Sequence, residues 1–362
     1  MTGVSAGQPP AGGELAQAAA EPGELAMQAV AISKDFRLGR GQTLHAVREV
    51  DLSLHRGKVV ALVGESGSGK STVARLLAGQ ETLTGGSIRL HGQPVSLATR
   101  RAFRRYKSEV QLVFQDPFAS LNPVHTVRYH LQRPVRLQQH KRPDEVGQEV
   151  GTLLGQVRLT PAGQFLGKYP HELSGGQRQR VSFARALAAR PSVLLADEPV
   201  SMLDVSIRLE MLNLLDDLRR RFRLALLYIT HDIASARYFA DEVLVMYGGQ
   251  IVERGPAEEV TQRPAHPYTQ LLIASAPDPD DLGGALRQGS RSTRKSTAGA
   301  GPAADGCPFS PRCPLAEDRC RRENPALLQI NATREAACWR LDAAAPGLAA
   351  DAGPPGPRGG GD

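Results

Sequence analysis

No stretch of this 362-residue chain stays apolar for the roughly 18 residues that a membrane-spanning helix needs; the longest apolar pieces are of the size of Leu224 to Ile229. Any attachment to a membrane is therefore expected to come through a partner. Residues Met1 to Ala20 lack a basic start and an apolar core, which argues against a secretory signal, and their Ala, Gly and Pro content predicts a disordered leader over 1–26. Cysteine is absent before position 307, which excludes a disulfide framework in the body of the chain and fits a reducing compartment. There is no internal repeat and no long heptad run, so repeat arrays and coiled-coil arms drop out.

What is present is ordinary for a soluble globular protein: 41% hydrophobic and 22% charged residues, in a chain long enough for one large domain and an appendage. The formal charge of +7 could serve nucleic acid or an anionic membrane face. Its densest basic run, Arg100 to Lys107, reads as the solvated face of a helix, and nucleic acid is not expected as a partner.

The run Val59 to Val63 reads as a buried parallel strand. It feeds Gly64-Glu65-Ser66-Gly67-Ser68-Gly69-Lys70-Ser71, followed by Thr72 and a helix-like stretch to Ala78. This strand, loop and helix form the setting of a phosphate loop. Its glycines let backbone N–H groups turn toward phosphate oxygens, and the helix adds its positive end. Lys70 would bridge the β- and γ-phosphates of ATP, and the Ser71 hydroxyl would hold Mg²⁺. Further strands are expected at Val193 to Ala196 and Leu224 to Thr230, with polar residues at their carboxyl ends, where ligands bind in open α/β sheets. Asp197 would hold Mg²⁺ and Glu198 would be the general base. Glu242 to Met246 and Gln250 to Glu253 read as a hairpin, and residues 98–172 as a helical stretch without clear strands.

About a hundred residues after the phosphate loop stands Leu173-Ser174-Gly175-Gly176-Gln177. Together with Asp197 and Glu198, this pairing resembles the ATPase subunits of ATP-binding cassette (ABC) transporters. The resemblance implies an α/β fold: a P-loop NTPase cassette with a mixed central sheet, a helical signature subdomain (98–190), an antiparallel β subdomain and a small cysteine-containing C-terminal extension. It implies that Gln115 lies in the loop that reads the metal and the attacking water, that His231 touches the γ-phosphate, and that Asp204 sits in the loop joining two ATP sites. Met202 stands where the family more often has Ala. Phe36 is expected to stack on adenine. The signature, Ser174 to Gln177, would contact ATP bound to an opposing subunit, so a second ABC ATPase is expected, as a heterodimer or a homodimer.

Val113 to Pro123, Tyr169 to Leu173, Pro199 to Ser206 and His266-Pro267-Tyr268-Thr269-Gln270-Leu271-Leu272 narrow the resemblance to oligopeptide, dipeptide and nickel importers. It implies an ATP-hydrolysing subunit at the cytoplasmic face of the cell membrane, with two permease subunits and an extracytoplasmic substrate-binding protein. Peptide uptake is the favoured cargo; nickel or another small solute, and a non-transport ABC ATPase, are the alternatives. Cys307, Cys313, Cys320 and Cys338 are separated by five, six and seventeen residues, without the paired C-x₂-C knuckles of structural zinc. Four cysteines can hold zinc or an iron–sulfur cluster; similar cysteines in the importer family are associated with [4Fe–4S], so the cluster is favoured and zinc is the alternative. The expected divisions are the ATPase domain over 27–277, a linker over 278–305, the four-cysteine extension over 306–341 and a disordered tail over 342–362.

Overall fold

The computed structural model describes residues 23–116, 120–139, 142–275, 301–303 and 305–344. Most of the expected leader, linker and tail lies outside the described residues, as do 117–119 of the stretch after Gln115.

Among the described residues, eight strands form the central sheet in the order β11 (Leu328–Asn331), β12 (Arg334–Ala336), β10 (Gln250–Pro256), β9 (Glu242–Tyr247), β3 (Val59–Val63), β8 (Ala225–Thr230), β7 (Val193–Asp197) and β6 (Val110–Val113). At its heart are β3 (Val59–Val63), β7 (Val193–Asp197) and β8 (Ala225–Thr230), in which every residue is buried. They run parallel, with β9 (Glu242–Tyr247) beside β3 and β6 (Val110–Val113) beside β7. Strands buried on both faces read as continuous apolar runs rather than alternating ones. Alternation appears instead in what they pack against. Val59, Ala61 and Val63 join one core with the helices of 127–187, while Val60 and Leu62 join another with the helix Lys70–Leu77 and the second sheet. That second sheet is antiparallel, in the order β2-β1-β4-β5, from β1 (Leu25–Arg37), β2 (Thr43–His55), β4 (Gly85–Leu90) and β5 (Gln93–Pro94).

The mixed sheet, the antiparallel sheet and the helical region agree with the expected fold. Within 98–190 the helices are Arg100–Glu109, Val127–Gln139, Pro143–Gln156, Gly163–Leu166 and Gly175–Leu187. One part of that reading needs correction. Val110–Val113 is a strand at the edge of the central sheet, paired in parallel with Val193 to Ala196. Four residues with a polar Gln111 among them give too short a pattern to distinguish from the end of the preceding helix. The basic run does form the helix Arg100–Glu109, which buries Tyr106 and leaves Phe103 exposed.

The hairpin forms between β9 and β10 (Gln250–Pro256). Its turn is Gly248-Gly249, with φ of 55° and 84°, a conformation that only glycine adopts cheaply at both positions of a two-residue loop. It is not the last strand pair. β11 (Leu328–Asn331) and β12 (Arg334–Ala336) from the cysteine-bearing extension pair with each other, and β12 adds to β10. The extension thus continues the central sheet. Glu253 on β10, fully buried, accepts from Arg334 at 2.9 Å and from the N–H groups of Ala265 and His266, each at 2.9 Å.

Candidate active site

Parallel pairing sets the carboxyl ends of β6, β7, β8 and β3 side by side, with Val63 opposite Thr230 and Asp197 opposite Ile229. The chain therefore delivers Gln115, Glu198, His231 and the 64–69 loop to one edge of the sheet. The loop is held tightly from beneath. A Cβ on Gly64 would meet the Met246 carbonyl oxygen at 2.2 Å, and one on Gly69, at φ 107°, the Ala46 oxygen at 2.3 Å. Glycine is required at both positions by backbone against backbone.

Lys70, buried at the start of its helix, donates to the carbonyl oxygens of Gly64 and Glu65, each at 2.7 Å. Burial lowers its pKa, while Glu198, Asp197 and Glu65 act in the opposite direction. The Ser71 hydroxyl donates to the Asp197 carboxylate at 3.1 Å. Burial pushes the Asp197 carboxyl up, against the Ser71 hydrogen bond, and a cation beside it would relieve that cost. The hydroxyl and carboxylate, paired at the edge of the phosphate loop, are oxygen donors of the kind that suit Mg²⁺.

Glu198 has φ 45°, in the left-handed region that non-glycine residues rarely occupy. The turn is fixed by its N–H donating to Ile229 and by its carbonyl oxygen accepting from the Ser201 hydroxyl. This aims the carboxylate into the site. There Gln115 Nε2 donates to Oε2 at 2.9 Å, and His231 Nδ1 lies 3.2 Å from the same oxygen.

These residues surround a cavity of about 1010 Å³, lined by Phe36, Glu65, Ser66, Gly67, Gly69, Lys70, Ser71, Thr72, Gln115, Glu198 and His231. A cavity of that size suits a nucleotide. Gly64 and Ser68 shape the loop from behind, and Lys34 sits 4.9 Å over the Phe36 ring. The walls also include Thr43 to Ala46 and Arg48 of β2, Gly248 and Gly249 of the hairpin, Leu272, Pro302 and Ala303. None of these carries a sequence signal, because they contribute shape through strand pairing rather than through reactive groups.

Ser174, Gly175, Gly176, Gln177 and Asp204 do not line this cavity. Ser174 caps the helix Gly175–Leu187: its hydroxyl accepts from the Gln177 N–H at 3.3 Å, and the Gln177 side chain accepts from the Ser174 N–H at 3.1 Å. A Cβ on Gly176 would come within 3.1 Å of Ile207. Asp204 is exposed at the start of the helix Val205–Phe222.

Residues 47–201 match the family model described as ABC transporter, and 252–320 match that of the oligopeptide/dipeptide transporter, C-terminal region. Over 327 residues the chain is 40% identical to the di/tripeptide transport ATP-binding protein DppF of Pseudomonas aeruginosa, covering 88% of this chain and 98% of that one. The chain belongs to the ATP-binding subunits of ABC transporters. This ABC ATPase is also 40% identical to the oligopeptide transport ATP-binding protein AppF of Bacillus subtilis, over 81% of its own length and 88% of that protein's. Its fold resembles cbiO1 from Clostridium perfringens, described as part of the ABC transporter complex cbiONQ, with a TM-score of 0.58 and 26% identity over 66% of this chain and 90% of that one. A second similar structure, with a TM-score of 0.58 and 25% identity over 64% of this chain and 98% of that one, is an ATP-binding cassette in dimeric form bound to ADP and Pi. Among the described residues of the ABC ATPase, no helix is long and apolar enough to cross a membrane.

The importer-like motif at His266 has a structural explanation that its sequence did not offer. His266 is fully buried, its pKa is lowered to about 3 by desolvation, and its Nδ1 accepts from the Tyr268 N–H, capping the helix Pro267–Ala274. Tyr268 in turn places its hydroxyl 2.8 Å from the Glu65 N–H, which donates to it. The motif therefore supports the phosphate loop from behind.

Cys307, Cys313, Cys320 and Cys338 line a single small pocket with His266, Phe309 and Trp339, and none is in a disulfide. Burial, with the neighbouring thiols adding to it, raises Cys307, Cys313 and Cys338, the last to about 11. Neutral thiols gathered in this way would ionise on meeting a cationic centre. Among the described residues, no group of three or more His, Cys, Asp or Glu is arranged to hold a metal ion.

Proposed function

We propose that this ABC ATPase energises uptake of peptides across the cytoplasmic membrane. It would work from the inner face, bound to two permease subunits that receive substrate from an extracytoplasmic binding protein. The observation that carries this reading is the joining of a nucleotide-binding cassette to a stretch, 252–320, that matches the oligopeptide/dipeptide transporter C-terminal region, in a chain aligned over nearly the whole length of a di/tripeptide transport ATP-binding protein. The same relatives give nickel and non-transport roles no support. Ser174 to Gln177 do not line the cavity of their own chain, which supports assigning them to ATP held by a second subunit.

In this reading the N–H groups of Gly67 to Ser71 cradle the phosphates, and Lys70 leaves the loop carbonyls to bridge the β- and γ-phosphates. Ser71 and Asp197, with Gln115, would hold Mg²⁺, which supplies neutralisation of charge on the phosphates when bound. Glu198 accepts a proton from water as the water oxygen bonds to the γ-phosphorus. The bond to the β–γ bridging oxygen breaks, and its electrons leave with ADP. Gln115 and His231 fix the carboxylate that takes the proton. Phe36 supplies the platform for adenine.

The four thiols are assigned to a [4Fe–4S] cluster. Their convergence on one pocket supports this. Iron and acid-labile sulfide in equal amounts are expected in anaerobically purified protein, and zinc alone would reject the cluster. For transport, the chain should co-purify from gently solubilised membranes with two permeases, a second cassette ATPase and a peptide-binding protein. Recovery with ribosomal or DNA-repair proteins only would overturn the importer reading.

A further inference from the structure

Glu65 is an anionic side chain within the loop proposed to hold a triphosphate, and on electrostatic grounds it is misplaced there. The structure supplies its counter-charge from far along the sequence. Arg312, the residue before Cys313, reaches Glu65 with both ends of its guanidinium: Nη1 to Oε2 at 2.7 Å and Nη2 to Oε1 at 2.9 Å. Such two-point pairs fix geometry as well as charge. The guanidinium lies over the rings of Phe309 and Tyr247, at 5.7 and 5.8 Å. Its backbone is held too: the Arg312 N–H donates to Phe309, and the flanking turn is closed by Ser310 donating to Cys307 and by Cys313 donating to Ser310.

Every polar group of Glu65 is thereby occupied. The carboxylate goes to Arg312, the N–H to Tyr268 and the carbonyl oxygen to Lys70. We infer that Arg312 is a positioning residue of the nucleotide site, neutralising Glu65 and holding its carboxylate back from the phosphates. Without Arg312 the carboxylate faces the bound triphosphate unpaired and competes with it for Lys70. The loss falls on ATP binding, while Glu198, Gln115 and His231 keep their geometry for the chemical step.

This inference rests on the phosphate-loop reading above, and the full-length chain can test the two separately. In Arg312→Gln, KM for ATP is expected to rise about tenfold with kcat within about twofold, the pattern of lost binding rather than lost chemistry. Adding Glu65→Gln to that variant removes the exposed charge and should bring KM back to within about threefold of the parent. A purely structural dock would not be rescued by that second substitution. Arg312→Lys, which keeps the charge but only one contact, should fall between and serves if the Gln variant does not fold. An unchanged KM in Arg312→Gln, or a rise that Glu65→Gln fails to relieve, overturns the inference. Lys70→Ala is the control: retained ATP binding there would reject the phosphate-loop reading and this inference with it.

Discussion

Glu198→Gln is expected to lower ATP turnover by about 10²–10⁴-fold, the range for removal of a general base, while ATP binding is retained. The amide keeps the size and one hydrogen-bonding oxygen of the carboxylate, so Gln115 Nε2 can still donate to it. What disappears is the capacity to take a proton from water. The backbone at Glu198 is already committed, with φ 45° and both its N–H and carbonyl oxygen bonded, so an isosteric side chain enters the same position. With binding intact and hydrolysis stopped, the protein should accumulate as an ATP-bound dimer, visible by size-exclusion chromatography with ATP and absent with ADP. Turnover within a few-fold of the parent would remove Glu198 from the role of base.

The second large effect is on stability. Arg334→Met should destabilise the fold by about 3–5 kcal/mol, because it strands a carboxylate that has no access to water. Glu253 and Arg334 have side-chain exposures of 0% and 1%, and Arg334 also donates to the Arg263 carbonyl oxygen at 2.6 Å. The pair joins β10 of the cassette to β12 of the extension at the point where the two strands meet. Replacing both partners, Glu253→Gln with Arg334→Met, should cost less than Arg334→Met alone, since no buried charge is left unpaired. Urea unfolding of the three variants measures this directly. A double variant as unstable as the single one would show that shape, not charge pairing, governs the contact.

The site was legible in the sequence to the extent that its chemistry is local. Gly64 to Thr72 form one continuous loop and helix start, and Asp197-Glu198 and His231 each follow an apolar run whose end is plain. Parallel strand pairing then brings these ends together without further instruction. Signals failed where the determinant is a contact across a long sequence separation. Arg312 and Tyr268 reach Glu65 from more than two hundred residues away, and nothing near them marks the phosphate loop as their target. The strand Val110–Val113 was hidden by its length, and β11 and β12, of four and three residues, are likewise too short for a strand pattern to show. The signature was legible as a motif, and Ser174 to Gln177 do not line the cavity of their own chain.

Addition of β12 to β10 also bears on solubility. A chain cut before residue 306 would leave the cassette ending on β10, whose Ile251, Val252 and Glu253 are buried and whose Val252 carbonyl oxygen receives the Ala337 N–H. That edge would offer unsatisfied backbone groups alongside apolar side chains, which is the template on which strands of separate molecules add to one another. In the intact protein the row ends instead on β11, a four-residue strand with a polar Gln329 and Asn331, too short to recruit a neighbour. Removing the extension should therefore promote self-association through that edge, an effect independent of any cargo and of any metal.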